Sequence, residues 1–226
     1  HLMTCVRVDP DLPEVYQNNE DLFFEDLINT YRKALRAFYD AGCRYLQLDD
    51  TSWGEFCSAE KRKAYAERGI DVDEIGRKYV YVLNKVLEAK PEDMTITMHI
   101  CRGNFRSTWS SSGGYEPVAE ILFGHCNVDG FFLEYDSDRA GGFEPLRYIG
   151  KQKVVLGLVT SKEATLENKE DVIARIHEAA NYVPLGQLAL SPQCGFASTE
   201  EGNLVTDEDQ WKKLALVKEI AEEVWN

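Results

Sequence analysis

The sequence of 226 residues predicts an α/β fold with a parallel sheet, of the eight-stranded (β/α)8 barrel type. Three observations predict it. Short, almost continuously apolar runs alternate with amphipathic helical segments, the pattern of strands buried on both faces and joined by helical crossovers. No linker, repeat or low-complexity segment interrupts the alternation, so residues 1–226 read as one domain. Nearly every run ends in a reactive residue, and in parallel α/β folds chemistry collects at the carboxyl ends of the strands. An open doubly wound sheet is the alternative. Many strand ends meet at one point only if the sheet curls, which favours the barrel.

The elements follow in order. Residues 19–40 predict a helix: Leu22, Phe23, Leu27, Ile28, Tyr31, Leu35 and Phe38 recur at helical spacing, and Gly42 follows the end. Residues 44–49 predict a strand ending at Asp49 and Asp50. Helices are expected near 58–68 and 72–89, stopped by Pro91. Residues 94–99 predict a strand ending at His99 and Cys101, and 117–123 a helix. Residues 128–134 predict a strand ending at Glu134 and Asp136. The run 153–159 predicts a strand ending at Thr160 and Ser161. A helix over 169–182, a short strand over 187–190 before Cys194, and a closing helix over 206–225 complete the chain. Trp211, Leu214, Val217, Ile220, Ala221 and Val224 form the apolar face of that last helix. His1-Leu2-Met3 reads as a cloning remnant and is left out of the fold reading.

The composition excludes several classes. With 25 Lys+Arg against 39 Asp+Glu, the net charge is −14, and such a surface repels phosphate backbones, so no nucleic-acid partner is expected. No apolar run approaches the roughly 20 residues of a membrane span, and no signal peptide is read. The cysteines Cys5, Cys43, Cys57, Cys101, Cys126 and Cys194 are scattered without a CxxC pair. A chain with a normal core needs no disulfide staples, which predicts a reducing, cytoplasmic compartment. Cys43 and Cys126 fit the part of small buried hydrophobes.

His99-Ile100-Cys101 is the sharpest local signal. Residues two apart in an extended segment face the same side, so an imidazole and a thiol point together at a strand mouth. Glu134 ends the apolar run Phe131-Phe132-Leu133, where a carboxylate needs a partner. Cys194 lies in a turn just past a strand. Alone, each residue reads as packing or as a salt-bridge partner. Together, imidazole, carboxylate and two thiolates suit zinc, and ligands spread over strand ends fit a catalytic site on a scaffold.

Four stretches carry a family resemblance: Tyr45-Leu46-Gln47-Leu48-Asp49-Asp50, Met98-His99-Ile100-Cys101-Arg102-Gly103-Asn104-Phe105, Phe132-Leu133-Glu134-Tyr135 and Leu190-Ser191-Pro192-Gln193-Cys194-Gly195-Phe196. From about Asp21 onward the chain resembles the C-terminal catalytic barrel of cobalamin-independent methionine synthase, and more closely its short bacterial relatives. The resemblance implies zinc held by His99, Cys101, Glu134 and Cys194, with Asp49 holding the amino group of homocysteine. It implies methyl transfer to that thiol, giving methionine, from a methyltetrahydrofolate-type or other donor. Asp50, Glu134 and Ser161 are expected beside the substrate, and Arg102 and Asn104 near the mouth as braces. The polar loop Ser107–Tyr115 has two readings, a cover or anion cradle over the site and a plain loop capping the next helix.

Two departures stand out. The family's histidine after the strand before the last has no counterpart in Gly157-Leu158-Val159-Thr160-Ser161-Lys162. Only five of eight strands can be read, which implies that the first three are absent. Two open edges and exposed inner faces at Leu46, Leu48 and Met98 are then expected, with a further stretch of chain, another chain or a second copy covering them. The rival readings are a zinc-dependent alkyltransferase for another thiol, a uroporphyrinogen-type decarboxylase, which the His-x-Cys set opposes, and a non-catalytic zinc- or thiol-binding relative.

Overall fold

The computed structural model describes residues 13–197 and 199–226; His1-Leu2-Met3 and Cys5 lie outside the described residues. Five parallel strands form one sheet: β1 (Tyr45–Asp50), β2 (Thr95–Ile100), β3 (Gly130–Glu134), β4 (Lys153–Val159) and β5 (Leu188–Pro192). Their spatial order is their chain order. A doubly wound sheet reverses its order at a switch point. This sheet has no reversal, and its sequential winding is that of a (β/α) barrel.

The helices are α1 (Glu20–Asp40), α2 (Ser52–Phe56), α3 (Ala59–Glu67), α4 (Val72–Leu87), α5 (Glu116–His125), α6 (Lys169–Ala179) and α7 (Asp207–Trp225). Side-chain caps explain several starts. Asn19, Ser58, Asp71 and Asn168 each accept a hydrogen bond from a backbone N–H of the first turn, and Thr206 forms a reciprocal capping box with Asp209. Helix α2 has no cap from its N-cap residue Thr51, and its five residues form little more than one turn, too short for an apolar period to show in the sequence.

Alternation along the strands separates two faces. Ile96, Met98, Phe131, Leu133, Val154 and Leu156 are buried in the core, joined by the half-buried Leu46 and Leu48. Asp49 is paired in register with His99, and His99 with Phe132, on the other face. Contrary to the sequence-based expectation, Leu46, Leu48 and Met98 therefore do not line the inner face; they are out of phase with Asp49 and His99 and pack in or against the core. Tyr31, Phe38 and Tyr45 are exposed instead. A groove of about 890 Å³ runs between α1, α4 and β1, with Phe23, Leu27 and Leu48 in its walls and Asp49 and Asp50 at its rim.

Helix α7 departs from its expected pattern. Trp211 is 69 % exposed, and Lys213 is buried in the last helix. The Lys213 ammonium donates to Thr165 O at 2.7 Å and to Glu167 Oε1 and Oε2 at 2.9 and 3.1 Å. Glu167 Oε1 also accepts the backbone N–H of Thr160 at the end of β4. An apolar-spacing rule cannot foresee a lysine turned inward onto a carboxylate of another loop.

Candidate metal centre

The ends of β2, β3 and β5 bring His99, Cys101, Glu134 and Cys194 together. One potential ligand atom from each lies within 4.8 Å of all the others. Glycine permits two close approaches that shape this point. A Cβ on Gly157, in β4, would stand 2.8 Å from Leu133 O and 2.7 Å from Gln193 Cα. A Cβ on Gly54, in α2, would stand 2.5 Å from Cys101 O. Any side chain at either position would push apart the segments that carry Glu134, Cys194 and Cys101.

Glu134 is fully buried, and each of its oxygens has a distinct environment. Oε1 accepts the Arg102 backbone N–H at 2.9 Å and lies 3.6 Å from His99 Nε2. Oε2 accepts from Arg139 Nη2 at 3.0 Å. The Glu134 backbone N–H donates to the Tyr115 hydroxyl at 2.9 Å. The His99–Glu134 separation is too long for a hydrogen bond, and His99 Nε2 is buried without a partner. Burial opposes protonation of His99, but the Cys101 thiol and the Glu134 charge outweigh it and move its pKa up. Pairing between the Cys101 and Cys194 thiols raises Cys101 and lowers Cys194, so Cys194 is the more readily ionised of the two.

These residues fit a zinc ion. An orphaned imidazole nitrogen facing a carboxylate and two sulfurs is a donor set in search of a cation. Tetrahedral zinc places ligand atoms about 3.3–3.8 Å apart, a spacing that the His99–Glu134 pair already meets. Among the described residues, burial also raises the thiols of Cys57, to about 11, and Cys126, to about 12, as suits inert packing groups.

The remaining candidates occupy different places. Asp49 is exposed at the mouth of β1, beside His99 in register. Asp50 turns the other way; its Oδ1 accepts the Trp53 backbone N–H at the start of α2, and burial raises its pKa. Ser161 is fully buried, and both its N–H and its hydroxyl donate to Gln193 Oε1 at 2.9 and 2.7 Å. Asn104 Nδ2 donates to Gly195 O at 2.6 Å, the bracing expected of it. In the loop Ser107–Tyr115 the amides of Thr108, Ser110, Ser111 and Gly113 donate to Phe105, Arg102, Arg102 and Arg139 carbonyls. Those amides build no anion cradle; the loop is tied down across the site.

Lys162, Gln193 and Arg139 were not singled out from the sequence. The Lys162 ammonium donates to Gly103 O, Asn104 Oδ1 and Thr108 O at 2.9, 3.0 and 2.8 Å, and burial lowers its pKa. It is a strut between the end of β4 and the loop after Cys101. No spacing pattern announces such contacts, which span 54–59 residues of sequence.

Fold and site together define a barrel-type α/β domain with a mixed nitrogen, oxygen and sulfur ligand group at its strand mouths. No protein-family model matches the chain. The chain is 54 % identical over 213 residues to the uncharacterized protein YxjH of Bacillus subtilis strain 168, and 55 % identical over 212 residues to YxjG of the same strain. Each match covers 93 % of this chain and 56 % of the relative. Among solved structures, the "putative vitamin-B12 independent methionine synthase" of Listeria monocytogenes is 47 % identical with a TM-score of 0.77, covering 94 % of this chain and 58 % of that one. A B12-independent methionine synthase from Shewanella sp. W3-18-1 shares the fold at 19 % identity and a TM-score of 0.68, covering 93 % and 57 %. The chain thus spans somewhat over half the length of these relatives. The chain is thus similar over most of its length to part of a Listeria protein described as a B12-independent methionine synthase, in line with its motifs. No helix among the described residues is long and apolar enough to cross a membrane.

Proposed function

We propose that His99, Cys101, Glu134 and Cys194 hold zinc, and that the centre activates a thiol for methyl transfer, with homocysteine as the thiol and methionine as the product. The observation that supports this most is the convergence of four donors around a buried, unpartnered His99 Nε2. The Listeria relative supports the reaction class. Zinc, when bound, converts a coordinated thiol to thiolate at neutral pH, where a free thiol with a pKa near 8.5 is mostly protonated. The two cysteines and Glu134 supply the anionic charge that keeps an incoming sulfur nucleophilic. The sulfur–carbon bond forms as the donor's bond to the methyl group breaks; the electron pair stays with the donor, which takes up a proton.

Asp49, exposed beside His99, pairs with the ammonium group of the amino-acid thiol. Asp50 steadies the same mouth through the start of α2, and Ser161 acts through Gln193. Lys162 is engaged with three acceptors and braces the loop rather than taking the place of the family's histidine.

The test is methionine formation by the zinc-loaded chain from homocysteine and a panel of methyl donors, together with thiol binding by Asp49→Asn. The substitution is expected to weaken homocysteine about tenfold or more, the worth of a charge-assisted contact, and to leave a thiol without the amino group unaffected. Equal losses for both thiols would remove Asp49 from this role. Methyl transfer to a different thiol alone would favour the alkyltransferase reading.

A further inference from the structure

Glu134 is not held by its strand alone. Arg139 follows it by five residues, in the short 3-10 turn Asp138–Ala140, and folds back so that its guanidinium is only 6 % exposed. Nη2 donates to Glu134 Oε2 at 3.0 Å and to Asp136 Oδ1 at 2.5 Å, and Nε donates to Ser137 Oγ at 3.1 Å. The guanidinium carbon lies 5.1 Å from the centre of the Trp109 ring, which is 54 % exposed. The Arg139 carbonyl accepts the Gly113 N–H, which ties the same turn to the loop after β2.

This arrangement makes the two carboxylate oxygens unequal. Oε2 is occupied by a charged guanidinium, while Oε1 accepts only the neutral Arg102 backbone N–H and faces His99 Nε2 at 3.6 Å. We infer that Arg139 is a positioning residue that holds Oε2 away from the metal and presents Oε1 alone as a single-oxygen ligand. The inference rests on the zinc reading above and deepens it. Without the guanidinium, both oxygens are available to a cation, and the carboxylate is free to rotate or to compete for water. Asp136 accepts from the same Nη2 and balances the guanidinium charge, so that Arg139 is directed without withdrawing Glu134 from the ligand group. Residues that orient metal ligands in this way typically change metal affinity by about 10–100-fold when lost.

The experiment uses the full chain loaded with Co(II) or zinc. Arg139→Met and Arg139→Lys are compared with the unsubstituted chain by chelator competition and by the visible spectrum of the Co(II) form. Arg139→Met is expected to bind metal about 10–100-fold more weakly, and its Co(II) bands are expected to lose the intensity of a four-coordinate site while the sulfur-to-metal charge-transfer band remains. Arg139→Lys, which keeps one charged donor, is expected to fall between. In a Glu134→Gln background, Arg139→Met should cause no further loss, because Arg139 acts through that carboxylate. A merely structural role would weaken the double variant by the same further factor and leave the Co(II) spectrum of the single variant unchanged; either result overturns the inference while leaving the zinc reading intact. Should Arg139→Met not fold, the Arg139→Lys spectrum decides alone, and identity with the unsubstituted spectrum and affinity overturns the inference. No metal in the unsubstituted chain overturns the zinc reading and this inference with it.

Discussion

Cys101→Ser and Cys194→Ser are each expected to reduce bound zinc from near one ion per chain to almost none. Each removes a thiolate from the ligand group and should cost more than the roughly 10–100-fold in affinity that follows loss of a supporting residue. The fold should survive. Cys194 lies after β5 in a turn, Cys101 lies just past β2, and the core of Phe131, Leu133, Val154 and Leu156 makes no use of either sulfur. Catalytic metals also contribute less to folding than structural ones. Metal analysis with circular dichroism checks both halves of the expectation. Unchanged metal content in both variants would remove the two cysteines from the centre.

Lys213→Ala is expected to be the most destabilising single change outside the site. It takes away three hydrogen bonds and leaves Glu167 and Thr165 O without their cation. Breaking a buried ion pair from one side costs about 3–5 kcal/mol. Glu167 keeps 18 % of its side chain exposed and can recover some hydration, so the lower end, about 3 kcal/mol, is expected. That is a large part of a typical stability of about 5–15 kcal/mol. The loss should reach the site, because Glu167 also holds the Thr160 N–H next to Ser161. Denaturant unfolding measures it; a shift below about 1 kcal/mol, the usual range of an exposed pair, would contradict the account.

The strands were legible because parallel sheets bury both faces, so β4 reads as Lys153–Val159 from its valines and leucines alone. The gathering of four potential donors was legible for a related reason: a charged or thiol side chain at the end of such a run is out of place unless something holds it. His99 and Cys101 share one face by strand alternation, and the structure brings Glu134 and Cys194 to them, as the sequence reading expects. Asp50 could not be assigned from sequence, since a carboxylate at a strand end followed by Thr51-Ser52-Trp53 suits a substrate contact and a helix start equally; in the structure its Oδ1 accepts the Trp53 N–H at the helix start. Arg139, Lys162 and Lys213 were illegible because long cationic side chains reach partners that sequence spacing does not rank. The same holds for Trp211, whose helical phase suits burial but which the neighbouring elements leave exposed.

X-ray absorption at the zinc edge, with and without homocysteine, tests the central claim most directly. Without the thiol, the centre is expected to show two sulfur neighbours at about 2.3 Å, from Cys101 and Cys194, with nitrogen and oxygen at about 2.0–2.2 Å from His99 and Glu134. Homocysteine should add a third sulfur at about 2.3 Å. Zinc with two sulfurs that gains none from homocysteine or any other small thiol would contradict thiol activation and leave a structural metal site. Zinc without sulfur neighbours would contradict the ligand set itself.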